Sequence, residues 1–362
     1  MKNILVTGGA GFIGANFVHY WMETYPADKV VVIDALTYAG NKANLAPVIN
    51  NDNFTFYHEN ICSFEKVCEI IRNNNIDTIV HFAAESHVDR SITGPDEFIE
   101  TNIIGTYTLL KAAKQLWLDE PFIDSVKQNH RFHHVSTDEV YGTLSPTDPA
   151  FTEDTAYAPN SPYSASKASS DHLVRAYHHT YGLNVTTSNC SNNYGPYHFP
   201  EKLIPLVITN ILQDKELPIY GDGQQIRDWL YVTDHAYGID LVLNKGRIGE
   251  NYNIGGNNEW ANIDIVKVIC GLVDEAFKND TSLIERFPKA SFAKNGKSAE
   301  LITYVTDRPG HDRRYAIDPN KSFKELDYRP KESFETGINK TVAWYLSNQG
   351  WWQAVMDGSY LK

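Results

Sequence analysis

The sequence has little of what marks secreted, membrane-bound or metal-binding proteins. Its 362 residues include only four cysteines, and no two of them form a Cys-x-x-Cys pair or a zinc-type cluster with histidines. No segment reaches the ~18–20 uncharged apolar residues of a membrane span. The chain opens on the strand-like run Lys2-Asn3-Ile4-Leu5-Val6 and not on a signal peptide. We therefore expect a cytoplasmic protein with free thiols, without a bound metal and away from membranes.

Basic residues are also few. The 32 Lys and Arg residues stand against 45 Asp and Glu residues, which gives a formal net charge of −13. Nucleic acid is not expected as a partner, since its binding needs basic surface that neutralises phosphates. A small anionic substrate would require a local basic pocket.

Apolar runs of strand length alternate with helical segments through the N-terminal half. The predicted strands are Ile4–Thr7, Val30–Asp34, Phe54–His58, Thr78–Ala83, Arg131–Ser136 and Asn184–Ser188. The predicted helices are Ala15–Tyr25, Phe64–Asn73, Phe98–Leu118 and Ser164–Tyr181. Continuous apolar strands separated by helices predict an α/β fold with a doubly wound parallel sheet of the Rossmann type.

The pattern changes after Tyr194, where Pro, Gly and aromatic residues become frequent. We predict that residues 1–194 form the nucleotide-binding domain and that residues 195–362 form mainly a smaller, irregular α/β substrate domain. Segments within about 228–260 are expected to return to the first domain, and Asn251–Ile254 is a candidate returning strand. The stretch Asp119–Asn129 is predicted to be a surface excursion.

A glycine-rich turn follows the first predicted strand and opens the first predicted helix. Gly8, Gly11 and Gly14 permit a tight turn and close approach of a pyrophosphate to the helix N-terminus. Asp34 ends the second strand 20 residues later, where a carboxylate binds ribose hydroxyls and repels a 2′-phosphate. No Arg that would accept that phosphate occurs in the run 35–41. The pattern predicts NAD and not NADP as the cofactor.

A tyrosine and a lysine are spaced for proton and hydride transfer. Tyr163 and Lys167 stand four residues apart, on one face of a predicted helix. The ammonium and a positive nicotinamide ring both favour the phenolate, which can take a hydroxyl proton while hydride leaves the same carbon.

These motifs make the chain resemble the dTDP-glucose 4,6-dehydratases, a family of extended short-chain dehydrogenases/reductases that act on sugar nucleotides. The resemblance covers nearly the whole chain, and Asn60 is a departure, since the family more often has Asp there. The matching segments are Thr7–Gly14, Ala83–Ser91, His134–Gly142, Tyr163–Lys167, Asn189–Pro196, Asp228–Asp234 and Asp307–Asp312.

The resemblance implies a dehydration without net redox. Tyr163 would take the C4 hydroxyl proton, water would leave across C5–C6, and hydride would return to C6, giving dTDP-4-keto-6-deoxyglucose for rhamnose and other deoxysugars. Thr137 would bind the C4 oxygen, Asp138 would be the acid at C6 and Glu139 the base at C5. Adjacent carboxylates disfavour double ionisation, so one can stay protonated near neutral pH, although the sequence alone does not say which.

The resemblance also implies the binding residues and a homodimer formed through the helices Phe98–Leu118 and Ser164–Tyr181. NAD would be bound by Gly8, Gly11, Phe12, Ile13, Gly14, Asp34, Ala35, Leu36, Thr37, Asn60, Ile61, Phe82, Ala83, Ala84, Ser86, Thr101, Tyr163, Lys167 and Asn193. dTDP-glucose would be bound by Ser86, Thr137, Asn192, Lys202, Leu203, Pro218, Ile219, Tyr220, Arg227, Asn262, Asp307, Arg308, Pro309, Gly310, His311 and Tyr360. Arg227 is the strongest phosphate candidate.

Related functions stay open as alternatives. A UDP-hexose 4-epimerase needs no acid and base for C5 and C6, so Asp138 and Glu139 oppose it. A GDP-mannose 4,6-dehydratase typically uses NADP, which Asp34 opposes. A UDP-glucuronate decarboxylase is a third enzyme alternative. A non-catalytic NAD-sensing protein is expected to lack Tyr163 or Lys167, and both are present.

Overall fold

A parallel sheet dominates the N-terminal part of the computed structural model, which describes residues 1–122, 124–307 and 311–361. The strands in chain order are β1 (Asn3–Thr7), β2 (Lys29–Asp34), β3 (Phe54–His58), β4 (Thr78–His81), β5 (Arg131–Thr137), β6 (Val185–Cys190), β7 (Asn192–Tyr194), β8 (Leu217–Tyr220), β9 (Ile226–Tyr231), β10 (Asn251–Ile254), β11 (Glu259–Ala261), β12 (Ile302–Val305) and β13 (Arg314–Tyr315). Seven of them form one sheet in the order β10-β6-β5-β4-β1-β2-β3, and every pairing in it is parallel.

Helices cover both faces of this sheet. In chain order the α-helices are α1 (Phe12–Thr24), α2 (Phe64–Asn73), α3 (Val88–Thr93), α4 (Asp96–Phe98), α5 (Thr106–Lys114), α6 (Asp124–Asn129), α7 (Pro162–Tyr181), α8 (Leu203–Ile211), α9 (Val232–Lys245), α10 (Asn262–Asn279), α11 (Ser282–Arg286), α12 (Ser291–Lys294), α13 (Asn320–Leu326), α14 (Phe334–Ser347) and α15 (Gln349–Met356). One apolar cluster joins the sheet to α1, α9 and α13, and another joins it to α2, α5 and α7. The sheet is therefore doubly wound, as its apolar strands predict.

The centre of the sheet is buried on both faces because helices pack on each side of it. All four residues of β4 are buried, as are Ile4–Thr7 of β1. The strand order reverses between β1 and β4, where the chain leaves the centre of the sheet in opposite directions. In open α/β sheets such a switch point opens a crevice at the carboxyl ends of the strands.

The part after Tyr194 builds a second apolar core against this sheet. Helices α8, α10 and α14 pack together around residues such as Ile204, Ile269 and Ile338, all fully buried. A small sheet links strands β7, β9, β11 and β13, and β8 pairs with β12. Strand β10 returns to the main sheet beside β6, at the residues where the sequence indicates a returning strand. This smaller part contains more regular helix than the sequence suggests.

Several helix boundaries differ from the sequence-based ones. The first helix begins at Phe12, three residues early, because the glycine turn feeds directly into it. The predicted helix Phe98–Leu118 is a helical segment over residues 96–119 with two π-helical stretches, Ile99–Gly105 and Gln115–Asp119. Beyond residue 119 the chain adds α6, at the end of the predicted surface excursion. None of the helices in the described ranges is both long and apolar enough to cross a lipid bilayer.

The core of the smaller part yields a stability prediction. Ile269 on α10 is fully buried, so Ile269→Ala should leave a cavity and lower the free energy of unfolding by about 2–5 kcal/mol. Lys278→Ala, on the exposed side of the same helix, should change it by less than about 0.5 kcal/mol. Thermal melting of the two variants beside the parent protein measures this. Equal melting temperatures for all three would contradict the packing described for α10.

Candidate active site

A cavity of about 500 Å³ opens at the carboxyl edge of the main sheet. Its wall combines the ends of β1, β2, β4, β5 and β6 with residues of the smaller C-terminal part. A volume of this size suits a bound cofactor or small molecule.

The glycine turn forms one end of this cavity. Gly8 has φ +70°, and a Cβ atom there would lie 2.7 Å from the backbone of Ala83, at the end of the neighbouring strand β4. A Cβ atom on Gly14 would collide with the carbonyl oxygen of Gly8. Gly11 is the N-cap of α1, and no described side chain caps that helix. The first-turn N–H groups therefore face the cavity as donors for an anion, which fits a dinucleotide pyrophosphate.

Asp34 fixes the loop beside this turn. Its Oδ2 accepts the N–H of Ala10 and its Oδ1 accepts the N–H of Leu36, both at 2.8 Å. Burial raises the pKa of Asp34, and the two backbone hydrogen bonds oppose that shift. The carboxylate thus ties the β2 loop to the glycine turn, at the position where a ribose of NAD would bind.

Tyr163 and Lys167 lie on the first turns of α7. That helix begins with a capping box, in which the side chains of Ser161 and Ser164 each bond to the backbone N–H of the other residue, and Pro162 follows at the first helical position. The Lys167 Nζ donates to the carbonyl oxygen of Val135 on β5 at 2.8 Å. Both side chains of the pair are buried and line the cavity.

The electrostatics of this pair depend on burial. Burial raises the pKa of Tyr163 well above its usual value, Glu139 adds to the shift, and the Thr137 hydroxyl opposes it. Burial lowers the pKa of Lys167, and Asp171 on the same helix opposes that shift. The charge of Lys167 therefore depends on the carboxylate of Asp171.

Thr137 is the last residue of β5, and Asp138 and Glu139 follow it directly. The Thr137 hydroxyl accepts the N–H of Glu139 at 3.3 Å and caps a 3₁₀ turn over Asp138–Tyr141. Asp138 is 1% exposed, whereas Glu139 is half-buried. Burial raises the pKa of Asp138 well above its usual value, and Glu139 and Asp228 add to the shift. No described group bonds to the Asp138 Oδ2, so this side chain can hold a proton and present it to a ligand.

Arg227 brings a positive charge to the other end of the cavity. Its guanidinium donates to the carbonyl oxygens of Ile226 at 2.7 Å and Asp312 at 2.9 Å, and lies 4.2 Å from the ring centre of Tyr315. These contacts hold the planar group in one orientation, which suits recognition of phosphate oxygens.

Most residues predicted from the sequence meet on this one cavity wall. On the cofactor side they are Gly8, Gly11, Phe12, Ile13, Gly14, Asp34, Ala35, Thr37, Asn60, Ile61, Phe82, Ala83, Ala84, Ser86, Thr101 and Asn193. At the centre they are Thr137, Asp138, Glu139, Tyr163 and Lys167. On the substrate side they are Asn192, Lys202, Leu203, Pro218, Tyr220, Arg227, Asn262 and His311.

Two predicted contacts lie off the wall for local reasons. The side chain of Ile219 packs into the C-terminal core, because side chains alternate along β8 and its neighbours Pro218 and Tyr220 take the cavity face. Leu36 has φ +49° and packs against the core on the α1 side of the sheet.

Two further predicted contacts brace the cavity rim. An Asp307 oxygen lies 2.6 Å from the His311 Nδ1, and the carboxylate also accepts from Gln225 at 3.0 Å. The Tyr360 hydroxyl donates to the carbonyl oxygen of Tyr38. The predicted contacts Arg308, Pro309 and Gly310 lie outside the described residues.

Other wall residues were not predicted from the sequence. Three of them, Glu85, His87 and Cys190, lie inside sequence motifs noted above. Their position in those motifs is the feature of the sequence that could have placed them at the cavity. Tyr315 follows the last of these motifs, and only the pairing of β13 with β9 brings its ring under Arg227.

Comparison with known proteins identifies the family. The family model described as GDP-mannose 4,6 dehydratase matches residues 5–341. The chain is 56% identical to dTDP-glucose 4,6-dehydratase 1 of Escherichia coli strain K12, over 99% of this chain and 96% of that protein. Because the identity is high over nearly the whole of both chains, it points to a more specific family than the family model does.

Solved structures agree with this similarity. A dTDP-glucose 4,6-dehydratase from Bacillus anthracis in complex with NAD superposes with a TM-score of 0.83 at 46% identity, covering 98% of this chain and all of that one. One from Streptomyces venezuelae, with NAD and TYD bound, gives 0.85 at 45% identity and the same coverage. The chain therefore belongs to the dTDP-glucose 4,6-dehydratase family of the extended short-chain dehydrogenases/reductases.

Proposed function

We propose that the protein is an NAD-dependent enzyme that converts dTDP-glucose to dTDP-4-keto-6-deoxyglucose. The observation that carries this proposal is the meeting of two chemistries on one cavity wall. Tyr163 and Lys167 supply an oxidation site, and the buried Asp138 beside the half-buried Glu139 supplies an acid and a base for loss of water. A plain dehydrogenase or epimerase has no use for the second pair.

The first step is proton removal from the C4 hydroxyl. Burial favours the neutral phenol of Tyr163, whereas the Thr137 hydroxyl and the positive charge of Lys167 favour the phenolate. The phenolate oxygen takes this proton, and the Thr137 hydroxyl bonds the C4 oxygen. When bound, NAD supplies the site that accepts the C4 hydride and later returns it to C6, and its positive ring also favours the phenolate. Gly8, Gly11 and the start of α1 would hold its pyrophosphate.

The second step is loss of water across C5–C6. The new C4 ketone acidifies the C5 proton, which the Glu139 carboxylate removes and later gives back to C5 when hydride returns to C6. Asp138 protonates the departing C6 hydroxyl. The burial of Asp138, which raises its pKa, supports this assignment, because the more buried carboxyl is the one that stays protonated.

The substrate's diphosphate and nucleotide would bind in the C-terminal part of the cavity. Arg227 and Lys202 supply positive charge there, although the whole chain carries a net charge of −13. We assign the base to the pocket wall formed by Pro218 and Tyr220, with Leu203 beside it. The remaining polar contacts that we assign to the nucleotide are Asn192 and Asn262. On this basis residues 195–362 serve mainly as the substrate domain and residues 1–194, with the returning strand, as the NAD-binding domain.

We also propose a homodimer in the cytoplasm. The helical segment 96–119 and α7 leave Ile99, Ile104, Tyr107 and Tyr181 each more than 40% exposed, a solvent-facing set of large apolar side chains that a second copy would cover. The thiols of Cys62, Cys68, Cys190 and Cys270 are all free, which suits a reducing compartment.

The proposed activity predicts a selective reaction without net redox. Purified protein given dTDP-glucose should form a 4-keto product lighter by one water molecule, without steady accumulation of reduced nicotinamide, because hydride leaves and returns in one turnover. Mass spectrometry with dTDP-, UDP- and GDP-hexoses compared side by side measures the product and the base preference. Stoichiometric build-up of reduced nicotinamide with product, or equal turnover of all three nucleotides, would contradict the proposal.

The position of Asp34 predicts that the protein binds NAD in preference to NADP. Asp34→Asn removes the charge but keeps the side-chain shape, so NAD binding should weaken by about 1.5–3 kcal/mol, roughly 10–150-fold, and discrimination against NADP should shrink. Calorimetric dissociation constants for both dinucleotides, after removal of bound nucleotide, measure this. Asp28→Asn changes another buried carboxylate that accepts backbone and side-chain N–H groups, and should leave both constants unchanged. An unaltered NAD constant in Asp34→Asn would remove Asp34 from the ribose site.

The acid at C6 predicts where the reaction stops. Asp138→Asn keeps the shape of the side chain but cannot deliver a proton, so overall turnover should fall ~10²–10⁴-fold while C4 oxidation continues. Substrate mixed with this variant should give reduced-nicotinamide absorbance and a 4-keto hexose that retains its water. Tyr163→Phe is the matched control, since it blocks the earlier step and should give neither signal. Dehydration by Asp138→Asn near the parent rate would reject Asp138 as the acid.

A further inference from the structure

A buried carboxylate lies behind the Tyr163–Lys167 pair and takes no part in the steps above. Asp171 is on α7, four residues after Lys167, so both side chains are on the same side of the helix. The residue is 5% exposed and does not line the cavity. Burying a carboxylate costs free energy unless the group is hydrogen-bonded or paired with a positive charge. We therefore expect neighbouring groups that stabilise Asp171.

Two hydroxyl groups hold this carboxylate in one position. The Ser136 hydroxyl donates to its Oδ2 at 2.8 Å, and the Tyr157 hydroxyl donates to the same oxygen at 3.0 Å. The His134 Nε2 lies 3.0 Å from its Oδ1, but no hydrogen bond to that oxygen forms among the described residues. Ser136 and His134 flank Val135, whose carbonyl oxygen accepts the Lys167 ammonium. Through its hydrogen bond with Ser136, Asp171 therefore holds the part of β5 next to the carbonyl that orients Lys167.

Lys167 needs a counter-charge. Its side chain is 4% exposed, and within the described residues it makes no direct ion pair and donates only to the Val135 carbonyl. Burial lowers the pKa of Lys167, and Asp171 is the main charge that opposes this shift. Without that charge, a buried lysine tends to lose its proton.

We propose that Asp171 is a positioning residue of the Tyr163–Lys167 pair, whose buried carboxylate keeps Lys167 an ammonium and holds the Val135 carbonyl that orients it. The proposal rests on the function proposed above, since the ammonium matters because it stabilises the Tyr163 phenolate. Asp171 touches neither the cavity nor the reacting atoms, so it acts only through Lys167.

The groups that face Asp171 set the pH range of this effect. They are Lys167 and His172 on α7, His134 on β5, Tyr141 in the turn after β5 and Tyr157 before α7. Burial keeps the pKa of His134 well below its usual value, so that ring is neutral. Burial also raises the pKa of Asp171 to about 6, and Lys167 opposes the shift. The carboxylate is therefore charged above about pH 6 and neutral below it.

Asp171→Asn tests the proposal because it keeps the shape and removes the charge. The pKa of Lys167 should fall by on the order of one unit or more, which moves the alkaline limb of the kcat profile with dTDP-glucose to lower pH. Below about pH 6, where the parent carboxylate is also neutral, the two rates should converge. Asp171→Glu retains the charge and should restore the parent profile. KM should change less than kcat in both variants, since Asp171 does not line the cavity.

The control is Asp240→Asn, another buried carboxylate that accepts two tyrosine hydroxyls, those of Tyr20 and Tyr25. Its pH profile should match the parent's. A rate lowered by the same factor at every pH in Asp171→Asn would show a purely structural role and overturn the proposal.

If Asp171→Asn does not fold, Tyr157→Phe replaces it. Loss of one hydroxyl donor should raise the pKa of Asp171, so that this carboxylate is neutral to a higher pH than in the parent. The kcat of Tyr157→Phe should therefore stay below that of the parent at pH values above 6. A kcat profile identical to the parent's would overturn the proposal.

A measurement on the ammonium itself separates this inference from the proposed function. Protein labelled with [ε-¹³C]lysine shows each lysine's titration by NMR, and Lys167→Arg identifies the signal that belongs to Lys167. A lower pKa for that signal in Asp171→Asn supports the inference even if dTDP-glucose is not the substrate. The same pKa in parent and variant would overturn the inference and leave the dehydratase assay untouched.

Discussion

All strands of the main sheet run in the same direction, and this constraint brings the site together. Gly8, Asp34 and Ala83 follow or end β1, β2 and β4, while Thr137 and Cys190 end β5 and β6. Because parallel strands end at one edge, residues far apart in the chain line one cavity. The close approach of Gly8 to Ala83 shows how tightly these ends are packed. The direction of the strands therefore determines the position of the cavity, whichever side chains line it.

Burial then decides the protonation of the groups at this edge. Asp138 is buried and half-buried Glu139 is next to it, so the two carboxyls differ in their tendency to ionise. Lys167 is buried as well, and the carboxylate of Asp171 behind it favours its charged form. The proposed acid, base and ammonium can therefore share one small cavity at one pH, although the chain as a whole is acidic.

The C-terminal part completes the cavity from the side opposite the glycine turn. Strand β9 carries Arg227, and β13 pairs with β9 so that Tyr315 lies under the guanidinium. Strand β10 returns to the main sheet beside β6, which fixes the two parts against each other. The packing of the C-terminal part therefore also places the Arg227 guanidinium beside the site where the substrate's phosphates are proposed to bind.

The sequence alone determined the doubly wound sheet, the glycine turn, the place of Asp34 at the end of β2 and the spacing of Tyr163 and Lys167. Local pattern suffices for these, because strand periodicity, turn residues and helical spacing act over short stretches. It did not separate Asp138 from Glu139, remove Ile219 from the cavity wall, or connect Asp171 to Lys167. Only the tertiary structure decided these, because burial, strand facing and long-range contacts depend on what the rest of the chain packs against each residue.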